Sequence, residues 1–282
     1  MSIQTIPTVH LPAGESIPVM GLGTWYLGEN PARRASELAA LRLGIDLGLT
    51  LIDTAEMYGN GASEQLVGEA IVGRRNEVFL VSKVLPNHAS FHDTIAACEG
   101  SLRRLRTDHL DLYLLHWRGP VRLEQTVEAF TTLMHAGKIK HWGVSNFDVS
   151  DMDELALVAG GGAVTIDQVL YNLAHRGIEW DLLPWCRARH MPIMAYSPIQ
   201  RGRLLGHPVI RRIAVRHDAS PAEITLAWVI RQDGVIAIPQ AGTPEHVRED
   251  YDALGVHLTK EDLRELNEAF PPPTSKQELE VI

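Results

Sequence analysis

The sequence predicts an α/β fold, a (β/α)8 barrel of the TIM type, with a β-hairpin ahead of the first barrel strand and extra helices and a tail at the C-terminal end. Three observations carry this. Short, continuously apolar runs alternate with amphipathic stretches, the pattern of a parallel sheet covered by helices. Eight such strand–helix units follow the hairpin segment. The chain has 282 residues, close to the roughly 250 that a closed barrel needs. No internal repeat, Gly/Ser linker or composition break divides it, so residues 1–282 are expected to form a single domain.

The elements follow in order. His10 to Val19 reads as a hairpin turning at Ala13-Gly14. Met20 to Thr24 is the first barrel strand, and Arg33 to Leu47 a helix closed by Gly48. Leu51 to Ala55 precedes a helix from Ser63, its expected cap, to Val72, closed by Gly73. Strand Val78 to Val84 leads to helix Phe91 to Leu105, and strand Leu110 to His116 to helix Leu123 to His135. Ile139 to Ser145 precedes Val149 to Ala159, and Val164 to Tyr171 precedes Trp180 to Arg189. Strand Pro192 to Ser197 leads into two helices, Val209 to Arg216 and Pro221 to Gln232. Val235 to Pro239 is the last strand and Pro244 to Leu254 the last helix. The tail from Pro271, with three consecutive prolines, is loop-like and is either disordered or folded over one end of the barrel.

Composition narrows the partners. The net charge is −9, with Lys and Arg dispersed, which argues against nucleic acid or an anionic membrane. No stretch reaches a membrane-spanning length. Met1 to Val9 lacks the charged start and apolar run of a secretory signal, so the expected location is the cytoplasm. Cys98 and Cys186 fall inside expected helices as small buried hydrophobes, and no spacing suggests a metal site.

Polar residues stand where apolar strands run out. Asp53 ends Leu51-Ile52-Asp53, Lys83 ends Val78 to Lys83, and His116 ends Leu112 to His116; Tyr58 follows Asp53 by five residues. In a parallel barrel the strand C-termini converge on the face where chemistry is done. A carboxylate after a strand often only caps the next helix, but four such groups at successive strand ends form a proton-transfer set. A phenol is a weak acid, with a reference pKa of about 10. Lys83 is expected to lower it, Asp53 to hold Lys83 charged, and His116 to orient a substrate oxygen. That suits carbonyl reduction with hydride from a cofactor. A Schiff-base aldolase using Lys83 is the alternative from the residues alone. Gly21-Leu22-Gly23 lacks the third glycine of a Rossmann fingerprint.

Over nearly its full length the chain resembles the aldo-keto reductases. The stretches that carry this are Gly21-Leu22-Gly23-Thr24-Trp25, Leu51 to Gly59, Gly68-Glu69-Ala70, Leu112 to Trp117, Gly137-Lys138-Ile139, Gly143 to Phe147, Gln168 to Asn172, Ala195 to Pro198 and Ala237-Ile238-Pro239. It is most similar to short bacterial members that reduce methylglyoxal and related carbonyls. The resemblance implies a monomeric barrel that binds NADP(H) without a Rossmann domain. It makes Tyr58 the general acid, with Asp53, Lys83 and His116 completing a tetrad. Ser145, Asn146 and Gln168 then bind the nicotinamide carboxamide, Tyr196 stacks on the ring, and Gly23, Thr24 and Trp25 border it. The loop from Ser197, with Ile199, Arg201 and Arg203, holds the pyrophosphate. Ile238, Gln240, Thr243, His246, Glu249 and Asp250 lie toward the adenosine. Trp25, Met57 and Trp117 line the substrate mouth, and the tail near Pro271 to Pro273 narrows it.

One departure bears on the cofactor. Where the family carries Lys, Ser, Arg and Asn around the 2′-phosphate and adenine, this chain has Gln240, Ala241, His246 and Asp250. NADP(H) remains the expectation from the resemblance, with NAD(H) the alternative. A barrel that binds cofactor but serves as a regulatory subunit is the second function class; the complete tetrad favours an enzyme.

Overall fold

A period of two along each strand sorts the barrel's side chains into an inside and an outside. The computed structural model describes residues 6–282; residues 1–5, part of the segment read as lacking a secretory start, lie outside the described residues. Strands β1 (Thr8–His10) and β2 (Ser16–Pro18) pair antiparallel, with Val9 opposite Ile17. The expected hairpin is present, but its turn centres on Pro12 and Ala13 rather than Ala13-Gly14. The Leu11 carbonyl accepts from the Gly14 N–H at 2.8 Å, and Gly14 itself has φ 91°, a conformation that suits glycine. Leu11 and Ile17 pack with Leu51 and Phe79 in the barrel's interior cluster.

Eight parallel strands follow. They are β3 (Gly21–Gly23), β4 (Leu51–Asp53), β5 (Phe79–Val84), β6 (Leu110–Leu115), β7 (Ile139–Ser145), β8 (Asp167–Leu170), β9 (Ile193–Tyr196) and β10 (Val235–Ile238). Each pairs with its sequence neighbour. Parallel bridges Met20–Ala237 and Gly23–Gln240 bring the last strand back to the first. There the Gly23 N–H donates to the Pro239 carbonyl at 2.8 Å. A β-carbon at Gly23 would sit 2.8 Å from the Ile238 carbonyl oxygen, so this junction admits only glycine.

Ten helices wrap the sheet: α1 (Arg34–Asp46), α2 (Ala62–Ala70), α3 (Phe91–Leu105), α4 (Leu123–His135), α5 (Val149–Leu157), α6 (Leu182–Arg187), α7 (Pro208–His217), α8 (Pro221–Ile230), α9 (Pro244–Asp252) and α10 (Lys260–Ala269). The outward strand residues, among them Ile52, Leu80 and Tyr113, pack against their buried faces. Cys98 and Cys186 are buried on α3 and α6.

Three helices differ most from expectation, and the strand expected over 164–171 is confined to Asp167–Leu170. The helix expected over 180–189 is shorter, because Asp181 accepts from the Leu182 N–H at 2.8 Å and starts α6 there, after a 3-10 turn at Gly177–Glu179. Ser63 does not cap α2, which begins at Ala62 after Gly61. Its hydroxyl instead donates to the Thr24 carbonyl at 2.9 Å, tying α2 to the loop after β3. Helix α10 occupies a stretch where no element was expected. Thr259 and Asp262 form a reciprocal cap at its start, and Asp262 also binds Arg216 and His217 of α7.

Candidate active site

Leu51, Phe79, Val81, Leu112, Leu114, Ile166, Met194, Ile236 and Ile238 fill the barrel interior. The same parity, carried to the strand C-termini, aims Asp53, Lys83, His116, Gln168 and Tyr196 into the barrel mouth. Tyr58 arrives differently, at the start of a 3-10 turn (Tyr58–Gly61) after β4.

Lys83 is fully buried and central. Its ammonium donates to Asp53 Oδ2 at 2.7 Å, to the Thr54 carbonyl at 3.0 Å and meets the Tyr58 hydroxyl at 3.0 Å. Three donors thus have three acceptors. Burial works against the ammonium, but Asp53 and then Tyr58 outweigh it, so the Lys83 pKa is raised. A saturated, protonated amine is unsuited to nucleophilic attack, which counts against Schiff-base chemistry.

Asp53 uses both oxygens. Oδ1 accepts from Gln168 Nε2 at 2.8 Å, so the carboxylate is fixed from two sides. For Tyr58 the expected lowering by Lys83 is present but is not the largest effect. Burial raises the phenol pKa, and Lys83 pulls down without overcoming it while Asp53 adds to the rise. Burial is the dominant effect, so the free site holds a protonated phenol. His116 packs edge-on to Tyr58 at 5.8 Å between ring centres. Burial, then the Lys83 charge, holds its pKa well below the usual histidine value, so the ring is neutral.

A second polar chain lies alongside. Ser145 Oγ donates to the Gln168 carbonyl at 2.7 Å. Asn146 Nδ2 donates to the His116 carbonyl and to Ser145 Oγ, each at 3.1 Å. The Tyr196 hydroxyl donates to Asn146 Oδ1 at 2.8 Å. Asn146 has φ 59°, and Tyr26, Ser197, Gln200 and Arg201 are also left-handed. Such strain costs about 1–3 kcal/mol per residue and persists where surroundings enforce it, typically at functional sites.

A cavity of about 910 Å³ opens at this end of the barrel. It is lined by Gly23, Thr24, Trp25, Asp53, Met57, Tyr58, His116, Trp117, Ser145, Asn146, Gln168, Tyr196, Ser197, Ile199, Arg201, Ile238, Gln240, His246, Glu249 and Asp250. Lys83 stands behind Tyr58. Arg203 is exposed outside the cavity, and Thr243 caps α9 by accepting from the His246 N–H. Absent from the expected set are Tyr26, Arg118, Pro198, Gly202, Leu205, Ala222, Val281 and Ile282, which also line the cavity. Tyr26 adjoins Trp25 and stacks on it at 4.6 Å, a signal adjacency offers. The tail lies over the C-terminal end of the barrel, but Pro271 to Pro273 do not line the mouth; Val281 and Ile282 do. Asp250 is buried, and its Oδ2 has no hydrogen-bond partner among the described residues.

Comparison with known proteins agrees with this geometry. The model of the aldo/keto reductase family matches residues 19–270. Methylglyoxal reductase YeaE of Escherichia coli (strain K12) is 53% identical over 272 residues, covering 95% of this chain and 96% of that protein. Glyoxal reductase of Bacillus subtilis (strain 168) is 35% identical over 263 residues, covering 92% and 91%. A crystal structure of an aldo/keto reductase from Klebsiella pneumoniae, in complex with NADP and acetate, superposes with a TM-score of 0.96 at 50% identity. It covers 99% of this chain and 100% of that one. A second structure from that organism, in complex with NADPH, gives the same figures.

Proposed function

The chain belongs to the aldo/keto reductase family, and from that premise we propose how its site works and what it prefers. The protein is an NADPH-dependent carbonyl reductase. Tyr58 is its proton donor and small α-dicarbonyls such as methylglyoxal, together with aromatic aldehydes, are its substrates. We further propose that residues 1–282 act as one domain, as a monomer, in the cytoplasm.

The observation that carries the mechanism is the Asp53–Lys83–Tyr58 chain set beside a neutral His116 at one end of the cavity. When bound, the nicotinamide supplies the hydride. Tyr58 delivers its proton to the carbonyl oxygen as charge develops there. Lys83, held by Asp53, stabilises the resulting phenolate. The neutral imidazole of His116 has one N–H with which to orient that oxygen.

The residues fit a nicotinamide dinucleotide. Near the tetrad, the amide of Asn146, the hydroxyl of Ser145 and the ring of Tyr196 suit a carboxamide and its aromatic ring. At the far end, the partnerless Asp250 Oδ2 and the side chains of Gln240 and His246 suit a nucleoside. Trp25, Met57 and Trp117, with Val281 and Ile282, restrict the mouth to small or flat carbonyls.

A panel of carbonyls assayed with NADPH and with NADH tests the proposal. Methylglyoxal and aromatic aldehydes should give higher kcat/KM than steroid ketones, with NADPH oxidised. Faster turnover of steroids would sink the size argument. Cofactor binding without oxidation by any aldehyde would favour the regulatory-barrel reading.

A further inference from the structure

Segment 276–282 runs past residues 175–181, reaches the cavity at Val281 and Ile282, and is held at discrete points. Lys276 Nζ lies 3.3 Å from Asp181, and Glu280 Oε2 lies 2.8 Å from His175 Nδ1. Ile282 reaches the cavity that Tyr196 also lines. The other edge of the His175 ring meets a different element. Its Nε2 is 3.0 Å from Gln200 Nε2, in the 197–205 loop between β9 and α7. Asn172 fixes the two together. Its Nδ2 donates to the Ser197 carbonyl at 2.9 Å, and its Oδ1 accepts from the His175 N–H at 3.2 Å.

The loop depends on such outside contacts. Its own backbone bonds are local turns, Gln200 N–H to the Ser197 carbonyl at 2.9 Å and Gly202 N–H to the Ile199 carbonyl at 2.9 Å. Ser197, Gln200 and Arg201 are left-handed, a strain the surroundings must hold. Arg201 also reaches across to the Trp25 ring, 4.4 Å from its centre.

We propose that His175 is a positioning residue that makes docking of the 276–282 segment and closure of the 197–205 loop a single event, and so sets the rate of cofactor exchange. The inference rests on the reading that the dinucleotide lies beneath that loop. With Nδ1 donating to the Glu280 carboxylate, Nε2 faces the Gln200 amide nitrogen as an acceptor. The carboxylate makes the far nitrogen a better acceptor, as in polarised hydrogen-bond chains. Glu280 therefore tightens Gln200 without touching it. Glu280 is half exposed, which keeps the effect modest.

The test uses the full-length enzyme with Glu280→Ala, in wild type and in a His175→Ala background. Hydrogen–deuterium exchange without cofactor should be faster at the amides of Gln200, Gly202 and Arg203. NADPH release, followed by stopped-flow fluorescence, should be about two- to fivefold faster, the modest effect that loss of one half-exposed hydrogen bond allows. In the His175→Ala background Glu280→Ala should change neither, the non-additivity of residues that act as a unit. Gln200→Ala should reproduce the faster release. Unchanged exchange and release in Glu280→Ala, or equal effects in both backgrounds, would overturn the coupling. A wild-type protein that binds no NADPH would overturn the functional reading instead, and the exchange measurement would still decide whether tail and loop are linked.

Discussion

The ammonium of Lys83 lies 3.0 Å from the phenol oxygen of Tyr58, yet the phenol is harder to ionise than in water. Burial outweighs the neighbouring charge. In the proposed mechanism the pair keeps a proton until the carbonyl oxygen needs it, and then stabilises the anion left behind.

Tyr58→Phe should lose about 10²–10⁴-fold in carbonyl reduction, the usual worth of a general acid. NADPH should still bind, because the ring remains. With the wild-type enzyme, kcat/KM against pH should show no limb near 6.5, since His116 is held well below that value and Tyr58 above 10. Reduction by the variant at near wild-type rate would remove Tyr58 from its role.

Lys83→Met should be nearly inactive and less stable. Asp53, almost fully buried, would lose its counter-charge. Removing one partner of a buried pair costs about 3–5 kcal/mol. Thermal unfolding reads the stability loss. Borohydride treatment of the wild type with a carbonyl substrate should trap nothing on Lys83; a covalent adduct there would revive the aldolase reading.

Asp167, outward-facing on β8, is buried, and neither oxygen has a hydrogen-bond partner among the described residues. Burial raises its pKa well above the usual carboxylate value. The unfolded chain releases this proton above about pH 4, whereas the folded protein keeps it. Stability is then full below that pH and declines as pH rises towards the folded pKa, at about 1.4 kcal/mol per pH unit. Asp167→Asn removes the titration. Its Tm advantage over wild type should be larger at pH 8 than at pH 5, and a difference independent of pH would refute the assignment.

Gln240 lines the far end of the cavity and is exposed. Gln240→Lys should improve NADPH affinity and leave NADH unchanged, because only NADPH carries the 2′-phosphate. A charge-assisted contact is worth about 1.5–3 kcal/mol, roughly tenfold or more in Kd, less as salt is added. His246→Arg should act in the same direction. Tryptophan-fluorescence quenching with both nucleotides measures this, and equal effects on the two would mean that the adenosine end is misplaced.

Much of the site was legible because strand ends are. Asp53, Lys83 and His116 follow apolar runs directly, and the period of two that buries Val81 and Leu114 aims Lys83 and His116 the same way. Tyr58 sits on a turn, so only its spacing of five residues from Asp53 pointed to it, and the family resemblance made it the general acid. Helix α10 stayed hidden because its cap pairs Thr259 with an aspartate, Asp262, and the stretch is dominated by charge. The path of the tail is set by His175 and Asp181, both distant in sequence. The net direction of the Tyr58 shift was not legible for a related reason. Charges can be counted in a sequence, whereas burial is a property of the assembled barrel.

The seam where β3 meets β10 has a consequence for biosynthesis. Met20 and Gly23 bridge to Ala237 and Gln240, roughly two hundred residues later. Contacts of such long range form slowly, because loop-closure entropy must be overcome before they contribute. On the ribosome the early strands must wait with one edge unpaired until β10 has been made, and unpaired edges invite aggregation. Gly23 and Gln240 both line the cavity, so this end of the pocket is among the last parts of the molecule to exist. A ligand that needs both sides of this seam would bind only chains that have finished folding.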